Sequence, residues 1–473
     1  MKIKQFFKTL LVFFTGNVMS KLIALFLLPL YTSQLLPEQM GNYDIVMSII
    51  NLVAPIAFLQ IWDGMFRFAF DYKENDSKYK IVNNSIIVSF AGIIAYLLIF
   101  SSISLFFQID YFVYVVIYGL LFAFQYVYSF SARVFMNNKL FVASGVVNTL
   151  VTALLNIIFM LVFNWGLESL YISQIIGTLL QIIIMEFGVK LFKHFKVKDF
   201  DKSLIVNMIK FSAPLCIATI SYWLLSGFSK IIVYSELGLH ANGLYAVSNR
   251  FSSMIAIVTT VFQYAWNEFA YLMVTDKDKK KNYSICVNLM LKCVAYGSIV
   301  ICLLIKIVFP YFIDAQYYEA INIIPATIIG VAVNSAAGFV GTLFMAEKDT
   351  KNILTTTLIA SFINIVLGFS LATVFGLNGV LTILAVSFFV LMILRLIRLN
   401  NKYKIKIDLS NLYLIIIVAI GVVCYYFINN VWLLALIGVI TMLAFALSML
   451  LNIKAIKGRN KEVSEELNQE NQI

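Results

Sequence analysis

With 473 residues, 61% of them hydrophobic and 12% charged, and a mean hydropathy of +0.91, the chain cannot be an ordinary soluble protein. Six prolines and 22 glycines favour long helices, and apolar runs of about 20 residues following one another exclude the short alternating strands of a β-barrel. The net charge of +11 follows membrane topology and anionic headgroups, as shown next, and does not point to nucleic acid.

The opening MKIKQFFKTLLVFF is basic and then apolar, like a signal peptide, but the run continues past signal length without a small-residue cleavage site. It reads as a retained first span. Hydropathy predicts fourteen spans, at 9–30, 43–66, 82–106, 111–132, 141–163, 167–189, 205–233, 244–268, 284–309, 321–345, 353–375, 378–398, 411–428 and 431–452. The connections alternate in charge. Of 35 Lys and Arg residues, 29 fall in one set, and the other set (YTSQLLPEQMGN, FQID, NWGLES, SELGLHAN, FPYFIDAQYYEA, FGLNG, INN) holds none. The positive-inside rule therefore predicts cytoplasmic termini. The tail KEVSEELNQENQI is polar and is expected to lack fixed structure. Cys216, Cys286, Cys293, Cys302 and Cys424 lie in apolar runs and read as packing residues, neither disulfides nor metal ligands.

The two halves repeat. Trp62 and Trp266 end spans 2 and 8, with Tyr79 and Ile81 matching Tyr283 and Ile285 at the same offset of 204. FMNNK (135–139) answers FMAEK (344–348), Asn156 answers Asn364, WGL (165–167) answers FGL (375–377), and GNY (41–43) answers GLY (243–245). The predicted fold is an all-α polytopic membrane protein of 14 transmembrane helices. Two six-helix lobes are related by a pseudo-twofold axis along the membrane normal, with two extra helices appended. The domains are 1–200 (spans 1–6), 201–408 (spans 7–12), 409–453 (spans 13–14) and 454–473 (the cytoplasmic tail).

Six cations remain outside the basic connections: Lys21, Lys210, Lys230, Arg250, Lys292 and Lys306. Lys210 and Lys306 lie near span ends and are expected to snorkel. Lys21 sits about ten residues, roughly 15 Å of helix, from Tyr31 and has the least freedom to escape the bilayer. Lys230 and Arg250 have both a cavity reading and a snorkelling one, and Lys292, in a span without a polar face, reads either as a possible substrate-binding residue or as one held by a local partner. Polar faces accompany the others: Asn17, Ser20 and Lys21 in span 1; Asp44, Ser48 and Asn51 in span 2; Ser226 and Lys230 in span 7; Asn249, Arg250 and Ser253 in span 8. Every acidic residue falls near a predicted boundary, so the interior reads as cationic and unpaired, a place for an anion such as phosphate. Pro55, Pro214 and Pro325 are expected to break or bend their spans. Ser173, Gln174, Gly177, Thr178 and Gln181 in span 6 suit either sugar contact or bonding between helices.

Two stretches carry a family resemblance. NVMSKLIALFLLPLYTSQLLPEQMGNYDIV resembles the opening of bacterial polysaccharide-unit flippases, in the order Asn17, Ser20-Lys21, Pro29, Tyr31-Thr32, Pro37, Gly41. SYWLLSGFSKIIVYSELGLHANGLYAVSNRF is similar to their span 7–8 signature, with Trp223, Ser229-Lys230 and Gly243-Leu244-Tyr245 in place. Ser-Lys stands where Asp-Arg is usual, which removes a carboxylate. The resemblance is to the multidrug/oligosaccharidyl-lipid/polysaccharide exporter superfamily and covers the whole chain. It implies a V-shaped cavity lined by spans 1, 2, 7 and 8. It also implies transfer of a polyprenyl-diphosphate-linked oligosaccharide to the outer leaflet of the bacterial cytoplasmic membrane, for cell-surface polysaccharide synthesis. By that analogy Lys21, Lys230 and Arg250 hold the diphosphate, spans 13–14 receive the lipid tail, and a polysaccharide polymerase is the protein partner suggested. No cofactor or metal is expected. A lipid II flippase and a cation-coupled multidrug exporter of the same superfamily stay open as alternatives, although an exporter would be expected to carry a deep carboxylate. An enzyme is disfavoured: the outer connections are short, and His194 and His240 are isolated in loops.

Overall fold

The computed structural model describes residues 19, 21–72, 74–105, 110–272, 279–347, 349–405 and 409–470, the stretch 451–470 as backbone only. The described residues fold into helices without a strand. Residues 21–26 are helical and lead through Leu27 into α1 (Leu28–Gln34). Next come α2 (Pro37–Ala57), α3 (Ile61–Ala69), α4 (Asn75–Ser104), α5 (Phe112–Val134), α6 (Asn138–Leu161) and α7 (Leu167–Val189). The second half holds α8 (Lys202–Ser226), α9 (Phe228–Leu272), α10 (Lys279–Phe312), α11 (Ile324–Ala346) and α12 (Thr350–Tyr403). The chain ends with α13 (Tyr413–Phe427) and α14 (Val431–Glu470).

Local chemistry sets many of these boundaries. Pro37 opens α2, where its missing N–H costs nothing. Asn137 and Asp201 cap α6 and α8 by accepting from the backbone N–H of Leu140 (3.3 Å) and Leu204 (3.1 Å). Span 2 breaks three residues after Pro55: Leu59 and Gln60 take left-handed φ of 52° and 44° before α3 resumes the same direction of travel. Pro214 sits inside α8, whereas Pro325 begins α11 and bends nothing.

Two connections expected to face outward are shorter than hydropathy predicts. Helix geometry in α9 is interrupted at one residue, Gly238 (φ 83°, ψ −178°), and in α12 at Gly376 (φ 56°, ψ −143°). Spans 7 and 8 therefore meet at Gly238, and SELGLHAN is largely helix. The tail also differs from expectation: its backbone stays helical to Glu470, since Lys, Glu, Gln and Leu are good helix formers and no proline interrupts them.

The repeat is visible in detail. Gly376 and its partner Gly166 (φ 55°, ψ −129°) turn the chain in the same way between the fifth and sixth helices of each half. Asn156 donates to the Tyr31 hydroxyl (2.9 Å), and Asn364 donates to Leu225 O (3.0 Å) and Ser229 Oγ (2.9 Å). Each asparagine thus ties the fifth helix of its lobe to the first. Gly41 and Gly243 face one another: a Cβ on Gly41 would lie 2.8 Å from the Gly243 nitrogen, and one on Gly243 would lie 1.9 Å from Pro37 O. Such reciprocity is what a twofold axis between spans 2 and 8 demands. Both helices run the same way from the crossing, so that axis lies along the bundle.

The last two helices attach to the second lobe. Lys306 of α10 donates to Tyr425 O, to Ile428 O (2.8 Å) and to Asn429 Oδ1 (3.0 Å). Its ammonium caps the C-terminus of α13 instead of reaching outward. In the first lobe, Gln181 Oε1 accepts from Gln125 Nε2 and from Asn148 Nδ2 (2.7 Å), and Thr152 Oγ1 donates to Ser173 O (3.3 Å). The polar residues of span 6 therefore join helices.

Candidate functional site: a cavity beneath the crossing of the two lobes

The lobes are pinned together at the end predicted to face outward. Around the Gly41–Gly243 crossing, Asn242 Nδ2 donates to Gly41 O (2.7 Å), His240 Nδ1 lies 2.9 Å from Glu38 Oε1, and Tyr317 donates to Leu35 O (2.8 Å). Spans 2 and 7 continue this contact toward the other end: Trp223 Nε1 donates to Ser48 O (3.0 Å), and Gln60 Nε2 to Thr219 Oγ1 (2.8 Å).

Below the crossing lies a cavity of about 630 Å³. Among the described residues its walls come from spans 7, 8, 10 and 12, that is, from the second lobe. Along span 8 it extends from Tyr245 to Gln263, roughly 27 Å at helical rise. Its polar lining is made of hydroxyls and amides, Asn249, Gln263 and Asn334 among them, and no charged side chain takes part among the described residues. The resemblance implies a cavity shared by spans 1, 2, 7 and 8; among the described residues this space is lined by spans 7 and 8 together with 10 and 12, and span 2 is packed against spans 7 and 8.

The repeat explains why the space lies in one lobe. At the FMNNK/FMAEK offset, Tyr118, Phe122 and Tyr126 of α5 correspond to Thr327, Val331 and Ser335 of α11. In the first lobe these rings run in series, Tyr118 to Phe122 (6.1 Å), Phe122 to Tyr126 (4.9 Å) and Tyr126 to Trp62 (5.0 Å). In the second lobe, their smaller counterparts line the cavity.

The sequence-predicted residues are distributed unevenly about it. Ser226, Asn249 and Ser253 lie on its wall. Ser48 is buried at the span 2–span 7 contact, and Asn51 is exposed and bonds back to Met47 O (2.8 Å). Asn17 and Ser20 lie outside the described residues. Lys292 is half-buried in α10, one turn beyond Asn288, which accepts from Asn411 Nδ2 (2.7 Å). It thus lies on the side of span 9 that meets the appended helices, away from the cavity.

The idea of an unpaired cationic interior needs correction at Lys230. Its Nζ lies 2.8 Å from Asp44 Oδ2, with both side chains mostly buried. Hydropathy places Asp44 at the edge of span 2. Because α2 begins at Pro37 and span 7 runs on to Gly238, the pair lies within the bundle and joins the lobes. The chain therefore holds an interior carboxylate, already neutralised by a lysine. In a double-mutant cycle on thermal stability, Asp44→Asn and Lys230→Met should show a coupling of about 1–3 kcal/mol. Additive single effects would make the contact incidental.

Arg250 is differently placed. Its guanidinium lies 5.1 Å from the centre of the Tyr31 ring, and among the described residues no carboxylate is within ion-pair distance. It follows Asn249 of the cavity wall in sequence, about 10 Å of helix below Gly243. Lys21 is half-buried, roughly 15 Å of helix from Tyr31. Lys21 and Arg250 therefore stand at different depths of the bundle.

Sequence reasoning missed two features. Span 10 carries Thr327, Gly330, Asn334, Gly338 and Thr342 at helical spacing, the signal that identified the other polar faces. Arg395, counted with the basic connections, is only 6% exposed. It donates to Ala337 O (2.6 Å), Thr357 Oγ1 (3.2 Å) and, at longer range, Thr356 Oγ1 (3.4 Å), beneath but not on the cavity lining.

Solved structures share this fold. An inward-closed lipid II flippase MurJ matches with a TM-score of 0.69 at 14% identity, covering 93% of this chain and 98% of its own. An inward-facing multidrug resistance MATE family transporter of the MOP superfamily gives 0.65 at 10% identity, covering 86% and 95%. A MATE structure in the straight conformation gives 0.57 at 12%, covering 88% and 95%. No curated protein matches significantly. The family model described as polysaccharide biosynthesis protein matches residues 6–266, more than half of the chain. The chain thus belongs to the polysaccharide biosynthesis protein family and has the two-lobe fold of the MOP superfamily.

Proposed function

We propose that this protein is a flippase that carries a polyprenyl-diphosphate-linked oligosaccharide from the cytoplasmic to the outer leaflet of the bacterial cell membrane by alternating access. The observation that carries this reading is Arg250: a guanidinium without a carboxylate partner among the described residues, next in sequence to Asn249 on the wall of a cavity whose described lining is polar and uncharged. An anionic headgroup satisfies such a cation, and Arg suits phosphate oxygens by its bidentate donors. Lys21, at another depth on span 1, serves as a second station along the path. Lys230, engaged by Asp44, belongs to the outer closure in this conformation and is freed for substrate only when the lobes part. The lipid tail stays in the bilayer throughout, so the barrier lowered is that of moving the polar head. Family membership supports a role in surface-polysaccharide synthesis, and a polysaccharide polymerase is the partner that would use the exported unit.

The test is leaflet transfer in proteoliposomes, with undecaprenyl-diphosphate oligosaccharides of several neutral compositions, lipid II and ethidium offered in parallel. Transfer of the oligosaccharide lipids is expected. Transfer of lipid II alone would make the protein a lipid II flippase. Movement of ethidium driven by a cation gradient, with no lipid moved, would make it a drug exporter.

A further inference from the structure

Resting on the flippase reading, we infer that the second-lobe cavity is the glycan site, that it takes a short, uncharged oligosaccharide, and that α11 sets its selectivity. Three observations converge. The volume of about 630 Å³ lies within the roughly 300–1,000 Å³ of small-molecule sites, so it suits a few sugar rings and not a polymer. Its polar groups are of the kind that both donate and accept. The Asn249 side chain makes no hydrogen bond among the described residues, and the Asn334 amide reaches across to the Tyr222 hydroxyl (2.9 Å). Amides and hydroxyls match the alternating donors and acceptors of sugar hydroxyls, and Tyr222 and Tyr245 stand on the same wall. Finally, among the described residues the lining holds no charge: Arg395 lies behind it and is already engaged. A uronate buried there would lack a partner, a costly arrangement.

Position links the two parts of the substrate. Asn249 faces the cavity while the next residue, Arg250, stands over Tyr31, so a diphosphate held by Arg250 directs the first sugar past Asn249. The first lobe also shows how the site would be closed. Ser335 and Val331 correspond by repeat to Tyr126 and Phe122, whose rings occupy the equivalent side of α5.

The experiment uses native mass spectrometry of the intact protein with bare undecaprenyl diphosphate, a set of neutral undecaprenyl-diphosphate di- to tetrasaccharides, and a uronate-containing trisaccharide lipid. At least one neutral glycan is expected to tighten binding tenfold or more over the bare lipid, and the uronate lipid to gain less. Ser335→Tyr and, independently, Val331→Phe should erase that gain while leaving the bare-lipid Kd within twofold, which also shows that each variant is folded. The inference is overturned if the variants leave glycan binding intact or weaken both lipids alike. An equal gain from the uronate lipid overturns the neutral class. Bare lipid bound without a gain from any glycan removes the glycan site but not the flippase reading, whereas wild type binding neither lipid removes both.

Discussion

Gly243→Leu is expected to reduce leaflet transfer at least about a hundredfold by preventing closure of the outer end, while Gly297→Leu leaves transfer near wild type. The contrast follows from what each new side chain meets. At Gly243 a Cβ would sit 1.9 Å from Pro37 O and 2.6 Å from Pro37 C, both backbone atoms that cannot turn aside. At Gly297 nothing lies within 4 Å. Ordinary contact begins at 3.4 Å, so spans 2 and 8 must part. Packed interfaces do not stretch continuously: they hold or they open. Shifting a two-state protein from 99:1 to 1:99 takes about 5.5 kcal/mol, and a Cβ 1.9 Å from a backbone oxygen cannot be held while the contact stays closed. Spin labels at positions 38 and 240, where Glu38 and His240 now meet at 2.9 Å, should report a longer distance in Gly243→Leu. Normal transfer with an unchanged distance would mean that this crossing is not the closing contact.

That crossing was half legible in the sequence. GNY and GLY announce themselves as repeat partners, but a repeat says only that two positions are equivalent. That equivalent glycines touch one another follows from where the axis passes, which requires the fold. The same limit applies to Asp44 and Lys230, 186 residues apart: each was visible as a polar residue, and their contact was not. Hydropathy also set their depth wrongly, because it ends a helix where apolar residues end, whereas SELGLHAN continues as helix to the one residue able to turn, Gly238. Arg395 was hidden by its company, since RLIRLNNKYKIK reads as a basic connection although its first residue is still inside the lobe. The cavity was the hardest feature to foresee. It depends on a comparison of size, Tyr118, Phe122 and Tyr126 against Thr327, Val331 and Ser335, and matching motifs detects likeness, not difference.

Arg250→Ala is expected to slow transfer of an undecaprenyl-diphosphate oligosaccharide about a hundredfold, or ~2.7 kcal/mol, the scale of one or two charge-assisted hydrogen bonds to phosphate. Arg250→Lys keeps the charge but loses the planar fork and should fall between, about tenfold down. Lys21→Ala should cost about tenfold, since Lys acts as a point charge. The informative variant is the double one. Lys21 stands roughly 15 Å of helix from Tyr31, over whose ring Arg250 lies, and sites farther apart than about 7–10 Å usually add in free energy. Two stations in series therefore predict a double variant near the product of the single losses. If both cations grip one diphosphate at the same moment, removing the second after the first costs less, and the double variant falls well short of that product. Both single variants transferring at the wild-type rate would place the anion elsewhere, and Lys230, released from Asp44 as the outer end opens, would become the cation to test.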